Sequence, residues 1–478
     1  MAARRDRPVD LLETVELLHG VLTQALCEEV FTEVRGKERR RLWTLDRLAE
    51  FWTAVILRAP PSLTHALAEG AGREVAAFPS PPATPQAFFA RCQGMRWEFF
   101  EALFDAFRDR LLAREPPRFA APLRALRARF TGLQILDGSK LDAVARRLKL
   151  LWNDRAVPLP GSVVAFYDVG HGTLSRFAYN PDASPSELHD ALAQLNRVEP
   201  GTLLLADRLY AKPVFFAATA ERGLFLVSRR NRTVKLTRLR RLSRRRVAGG
   251  AVLEDWLVEA GTGQGVPPQR LRLIRWKRKG VVREVLTNVL DPERLTAEEA
   301  YALYPVRWKV ERTFFDLKRV LNLHRFYAAN TNAVAMQLYA AAMVHTALRV
   351  AQSHIAARAH VEPEAISVPK LFPKVAAASA GLTYSEVTFA ATRDANPRVR
   401  LNRPDWHQMP YAKVRLSAIL LEPRSGNRRK RRFCAARRRA GRASSARRCP
   451  VSASGYRASF RSSSRESGPS RKGTLNPR

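Results

Sequence analysis

Acidic side chains are scarce in this sequence. Only 44 Asp and Glu stand against 82 Lys and Arg, giving a formal charge of +38 and a pI near 11.3. That deficit is far from the balance of an ordinary soluble enzyme. It points to a polyanionic partner, because every phosphate a cation neutralises releases condensed counterions. Nucleic acid fits better than a membrane surface, and an Arg-biased genome explains part of the excess. Cysteine is rare too. Cys27, Cys92, Cys434 and Cys449 form no CxxC pair, which argues against a disulfide framework or a zinc ribbon and fits a reducing compartment. The sequence has no HExxH and no GxxxxGK[ST] loop, so neither zinc-protease nor P-loop chemistry is indicated. The amino terminus, MAARRDRPVDLLETVELL, has no unbroken apolar run, and no signal peptide is expected. The longest apolar stretch, residues 333–348, is interrupted by Gln337 and His345. It reads as a buried helix and not as a membrane span.

What is present suffices for two or three globular domains, with 46% hydrophobic residues in 478. Residues 1–128 carry apolar positions at three- and four-residue spacing and read as a helical N-terminal domain, a candidate for DNA contact. Thr84-Pro85 reads as an N-cap followed by proline at the first helical position. From 131 the pattern turns to strands. GLQILDGSK is an apolar run stopped by a turn, and SVVAFYDVGHGTLSRFAYN reads as a hairpin. SPSELHDALAQLN opens with a Ser-x-x-Asp/Glu type cap. LLLADRLY, a helix and LFLVSR then complete an alternation that predicts a mixed α/β core with partly parallel strands. The expected organisation places the α/β domain at 129–360, with a β-rich insertion at about 223–290 holding the basic run RLRRLSRRR (238–246), and a helical extension at 361–423. The tail, 424–478, has 18 Arg and Lys against Glu466 alone, about +17 of the total. It cannot bury a core and is expected to be disordered, as a DNA-binding arm or as GC-rich sequence read out of frame.

Two aspartates close apolar strands: Asp137 after Leu133–Leu136, and Asp207 after Leu203–Ala206. A carboxylate just past a buried strand opens onto the sheet edge, where α/β folds tend to place their sites. Alone, Asp137-Gly138 reads as a turn, and Asp142 and Asp168 are rival acids. A third acid stands in YPVRWKVERTFFDLK, where Tyr304, Arg307, Glu311 and Lys318 fall close to one helix stripe. Beside them Val306, Val310, Phe314, Leu317 and Leu321 form the face that seeks a core. Glu311 by itself is as well explained by a surface pair with Arg307 or Lys318. Together, three acids in so basic a chain suit Mg²⁺, a hard cation that bridges to phosphate. The residues alone therefore indicate a metal-dependent phosphodiester enzyme.

The spacing of Tyr304, Arg307, Glu311 and Lys318 matches the signature of the DDE transposases of the insertion sequence 4 family, which this chain resembles over about 131–350. ILDGSK, LLADRLY and VLTNV resemble further family motifs. The resemblance implies an RNase H-like core in which Asp137, Asp207 and Glu311 are catalytic and hold two Mg²⁺ ions, with Mn²⁺ as a substitute. It implies phosphate contacts from Tyr304, Arg307 and Lys318, an insertion that grips the transposon end, and a homodimer on double-stranded DNA. The implied reaction has two stages: water frees a 3′ hydroxyl at the element's end, and that hydroxyl attacks target DNA. Trp256 and Trp276 are candidates for stacking a flipped base, although core packing explains them as well. A bacterial cytoplasmic, nucleoid-associated location follows from the same resemblance. Two other readings are a catalytically silent DNA-binding protein that kept the fold, and an RNase H-like nuclease that cuts without strand transfer.

Overall fold

The computed structural model describes residues 8–35, 41–72, 81–117, 119, 124–141, 161–182, 184–247, 250–261, 267–328, 330–380 and 413–421. Asp142 and the basic tail lie outside them. The described residues belong to one compact unit, 1–421.

At its centre is a nine-stranded mixed sheet. In chain order its strands are β2 (Leu133–Lys140), β3 (Ser162–Asp168), β4 (Thr173–Asn180), β5 (Leu203–Ala206), β6 (Phe225–Arg229), β7 (Leu236–Val247), β8 (Ala251–Ala260), β9 (Gln269–Arg278) and β10 (Val281–Thr287). Across the sheet they run β4-β3-β2-β5-β6-β10-β9-β8-β7. The first three pair antiparallel, β2, β5 and β6 pair parallel, and β10 joins β6 antiparallel to begin a meander. The basic insertion therefore extends the core sheet edge to edge. A short β1 (Pro8–Asp10) pairs separately with β11 (Lys413–Arg415).

Alternation along the strands sends side chains to two cores. Leu133, Ile135, Leu203, Leu205 and Val227 face the larger one, built from the N-terminal helices and the long helix Thr331–Ala359. The N-terminal helices include α1 (Glu13–Val21), α2 (Gln24–Arg35), α3 (Leu45–Arg58), α4 (Leu63–Gly72), α5 (Pro85–Gly94) and α6 (Trp97–Arg114). Thr84 caps α5 by accepting from the Ala87 N–H at 3.3 Å, with Pro85 at the first position. Leu136, Phe166, Leu204, Ala206 and Leu226 face the smaller core, covered by α7 (Glu187–Gln194) and α8 (Pro213–Glu221). The helix Thr331–Ala359 is the single described helix long and apolar enough to cross a membrane, and 94% of its apolar window is buried inside the protein.

Two polar assemblies rigidify the insertion. On one face a line of opposite charges crosses the strands: Arg244 to Glu254 at 3.3 Å, Glu254 to Arg275 at 3.7 Å, Arg275 to Glu284 at 3.4 Å, and Glu284 to Arg230 at 2.9 Å. On the other, Arg272 is fully buried. It donates to both Asp255 carboxylate oxygens and, through one terminal nitrogen, to the carbonyls of Val289 (3.1 Å), Asp291 (3.3 Å) and Leu295 (2.8 Å). Those carbonyls belong to the segment leading into helix α9 (Ala297–Leu303), whose start Thr296 and Glu299 close with a capping box.

The signature segment is not one regular helix. It runs as a 3-10 turn (Tyr304–Arg307), helix α10 (Trp308–Phe315) and a π turn (Asp316–Val320). The expected apolar face is in place, with Val310, Phe314, Leu317 and Leu321 buried and Val306 partly so. The polar residues are carried by three different kinds of turn: Tyr304 and Arg307 on the 3-10 turn, Glu311 on α10 and Lys318 in the π turn, which accommodates one extra residue. Helices α11 (Thr331–Ala359) and α12 (Val368–Ser379) complete the unit.

Candidate active site

Asp137 and Asp207 reach the same place by register. Leu136 pairs with Ala206 across the parallel β2–β5 ladder, so the next residues stand side by side on strands about 4.8 Å apart. Both continue the alternation of Ile135 and Leu205 and so emerge on the face of the larger core. Asp137-Gly138 is not a turn: β2 runs through it, pairing Asp137 with Ala165 and Gly138 with Val164. Asp207 accepts from the Leu209 N–H at 2.5 Å, and its own carbonyl accepts from the Ser228 hydroxyl. The rival Asp168 is at the far end of the sheet, opposite Gln134. There it caps the hairpin by accepting from the His171 N–H at 2.8 Å.

Arg307 connects the signature segment to this pair. Its guanidinium lies 3.6 Å from the Asp137 carboxylate and bonds Glu311 one turn on. It lies over the rings of Tyr304 and Trp308, at 6.0 and 5.4 Å from their centroids. Glu311 thus joins Asp137 through Arg307. Burial raises the Tyr304 hydroxyl above its ordinary range, against the pull of Arg307. Lys318, inside the π turn, reaches the end of β2. There it donates to the Ser139 hydroxyl and, at 3.0 Å, to the Lys140 carbonyl.

A fourth acid was not anticipated. Glu187, at the first turn of α7, accepts from the Gly138 N–H at 3.0 Å and from the Tyr210 hydroxyl at 2.6 Å. The anticipated Ser-x-x-Glu cap is replaced by Ser186, which accepts from the His189 N–H at 3.2 Å and leaves Glu187 to turn inward. Burial first, then the neighbouring charge of Glu187, pushes the Asp137 carboxyl up to about 7; Asp207 adds to this and Arg307 opposes it. Burial also raises Glu187, again with Asp207 contributing. Crowded anions of this kind attract a cation. Even so, among the described residues no group of three His, Cys, Asp or Glu side chains is spaced to hold a metal ion. The fit therefore rests on Asp137 and Asp207, with Glu311 held by Arg307.

The two tryptophans proposed for base stacking already have protein partners. Arg238 and Arg241 lie over Trp256 at 4.9 and 5.7 Å. Trp276 stacks on Tyr301 at 5.4 Å with rings 9° from parallel.

Paired strand-end acids beside an arginine-bearing helix suit phosphoryl transfer, and sequence comparison points the same way. Residues 161–347 match the transposase DDE domain. That span includes Asp207, Glu311 and the other three signature residues, and Asp137 lies just upstream. A Sinorhizobium fredii protein named as a transposase is 30% identical over 192 residues, 38% of this chain and 53% of that protein. A Geobacillus stearothermophilus protein named as the transposase of insertion sequence element IS5377 is 27% identical over 187 residues, 37% of this chain and 49% of that one. The chain spans about half the length of these curated relatives. A piggyBac transposase synaptic complex with hairpin DNA aligns over 84% of each chain at 10% identity, with a TM-score of 0.36 too low to carry an argument. The matched region is similar to a transposase DDE domain, in keeping with the sequence resemblance. None of these matches separates the insertion sequence 4 family from its neighbours.

Proposed function

We propose that the protein is a DNA transposase that cleaves the ends of an insertion sequence and joins them to target DNA. The observation that carries this reading is the Asp137–Asp207 pair at the ends of two adjacent parallel strands, bordered by Arg307 of the signature segment. The strand order β4-β3-β2-β5-β6, three antiparallel and then parallel, supports an RNase H-like core. We read the chain as a helical region at 1–128 that contributes to DNA contact, a catalytic region at 129–360, a helical extension at 361–423 and a basic tail at 424–478.

Asp137 and Asp207 would hold divalent metal, Mg²⁺ or Mn²⁺, with Glu311 completing the set once Arg307 releases it. When bound, two such ions lower the pKa of water and stabilise the entering and leaving oxygens of an in-line displacement. The protein itself aligns and neutralises. Arg307 offers a planar fork to a backbone phosphate in place of the carboxylates it now contacts. Tyr304 adds a hydroxyl donor kept protonated by burial. Lys318 places a positive charge at the end of β2. No side-chain nucleophile is required, because orientation and charge stabilisation supply the catalysis. Synapsis of two ends makes a homodimer on double-stranded DNA the assembly this reaction calls for.

The test is cleavage of DNA carrying the element's own terminal repeats, in Mg²⁺ and in EDTA. Metal-dependent nicking and joined products are expected, both abolished in Glu311→Gln. Cutting that survives that substitution removes Glu311 from the site. Cutting without joining leaves a nuclease, and a gel shift with no cutting leaves a DNA-binding protein.

A further inference from the structure

Glu187 has no role in the reaction as drawn, yet it is the group that ties the two strand-end aspartates together. Gly138 projects toward the smaller core, where α7 packs, while Asp137 beside it projects the other way. With no Cβ at 138, the Glu187 side chain occupies that space. A Cβ built there would lie 2.3 Å from its Cγ and 2.4 Å from its Cδ. From this position a single oxygen, Oε1, accepts from the Gly138 N–H, on the residue after Asp137, and from the hydroxyl of the fully buried Tyr210. Tyr210 belongs to the turn that begins at Asp207, its N–H donating to the Asp207 carbonyl at 3.3 Å. The path from Asp137 to Asp207 through Glu187 is thus short and made of directed bonds.

We propose that Glu187 is a positioning residue, and that its carboxylate clamps β2 to the Asp207 turn so that the two aspartates meet a divalent cation at a fixed spacing. This rests on the reading of Asp137 and Asp207 given above. Such supporting partners commonly carry much of a site's affinity, because they fix ligands that would otherwise reorganise on binding. The bonding needs an oxygen acceptor at Oε1 and does not need its charge. A glutamine amide oxygen accepts from both donors, whereas alanine accepts from neither.

The test is binding of Mn²⁺ alone to the full-length protein, measured by titration calorimetry, with a thermal melt of each variant. Glu187→Ala is expected to weaken Mn²⁺ binding by about 10- to 100-fold, and Glu187→Gln to recover most of that loss. Tyr210→Phe keeps the ring packing, removes one of the two bonds and should move affinity in the same direction by less. It keeps the idea testable if Glu187→Ala does not fold. Affinity unchanged in both Glu187→Ala and Tyr210→Phe overturns the clamp. So does a Glu187→Gln variant as weak as Glu187→Ala, since charge would then be the property that matters. Asp137→Asn and Asp207→Asn are the separate control. If they bind Mn²⁺ like the wild type, the reading of the aspartate pair fails, and the clamp with it. If they lose binding while the Glu187 variants keep it, only the clamp fails.

Discussion

Replacing Arg272 by leucine should be among the most damaging single changes in the insertion. The guanidinium is fully buried and saturates two kinds of acceptor: the Asp255 carboxylate, itself buried, and three backbone carbonyls between Val289 and Leu295. Removing it leaves an uncompensated buried charge, which costs about 3–5 kcal/mol. Each orphaned carbonyl adds a desolvation penalty of about 1–3 kcal/mol, partly relieved where the loop can reach water. Asp255→Leu should cost less, because Arg272 keeps its three carbonyls. The double variant should recover much of the Arg272→Leu loss without returning to wild type, since no apolar pair satisfies those carbonyls. Urea unfolding followed by circular dichroism gives the cycle. Hydrogen exchange gives the local effect, with protection expected to fall across 289–299, the stretch that feeds α9 and the signature segment. An Arg272→Leu cost below about 1 kcal/mol, or a cycle with no coupling, would refute the account of this node as a buried charge pair.

Other consequences are equally direct. With its carboxyl raised to about 7, Asp137 stabilises the metal-free fold fully below its ordinary value of 3.8, and that contribution is lost as pH rises through 7. Thermal midpoints in EDTA should therefore fall between pH 5 and 8, with a shallower fall in Asp137→Asn; equal slopes would show that another group titrates. Gly138→Ala should destabilise by about 1–3 kcal/mol through the clash with Glu187. Combined with Glu187→Gly it should cost less than the two single changes summed, and denaturant midpoints that simply add would show the clash is not there. Lys318→Ala should weaken terminal-repeat binding and reduce the slope of log K against log salt by about 0.9. An unchanged slope in filter-binding titrations would mean that Lys318 serves β2 alone.

Much of this was legible in one dimension because buried strands and their ends leave strong marks. A short, mainly apolar run closed by an aspartate occurs twice and marks both Asp137 and Asp207, and the apolar face of the signature segment is legible from its spacing. The π turn was not legible, since Val310, Phe314, Leu317 and Leu321 suit an ordinary helix as well as an interrupted one. Glu187 was hidden for a different reason. It sits at the start of an amphipathic helix, where a glutamate reads as a cap, and its partner is nearly fifty positions away. The available signal is Gly138: a glycine inside a strand marks close approach by another group, although Asp-Gly equally reads as a turn. The union of insertion and core sheet also depends on a non-local edge pairing, β6 with β10, that no periodicity announces.

The π turn at Asp316–Val320 behaves as a phase shift in the chain. Each residue of an α-helix advances the side chains by about 100°. Deleting one residue there would restore a regular ladder and swing Lys318 a quarter-turn or more away from the end of β2. Homologous chains should therefore vary at exposed Arg319 more freely than in the length of this stretch. A length polymorphism there would mark a lineage that has let go of the lysine's hold on the strand.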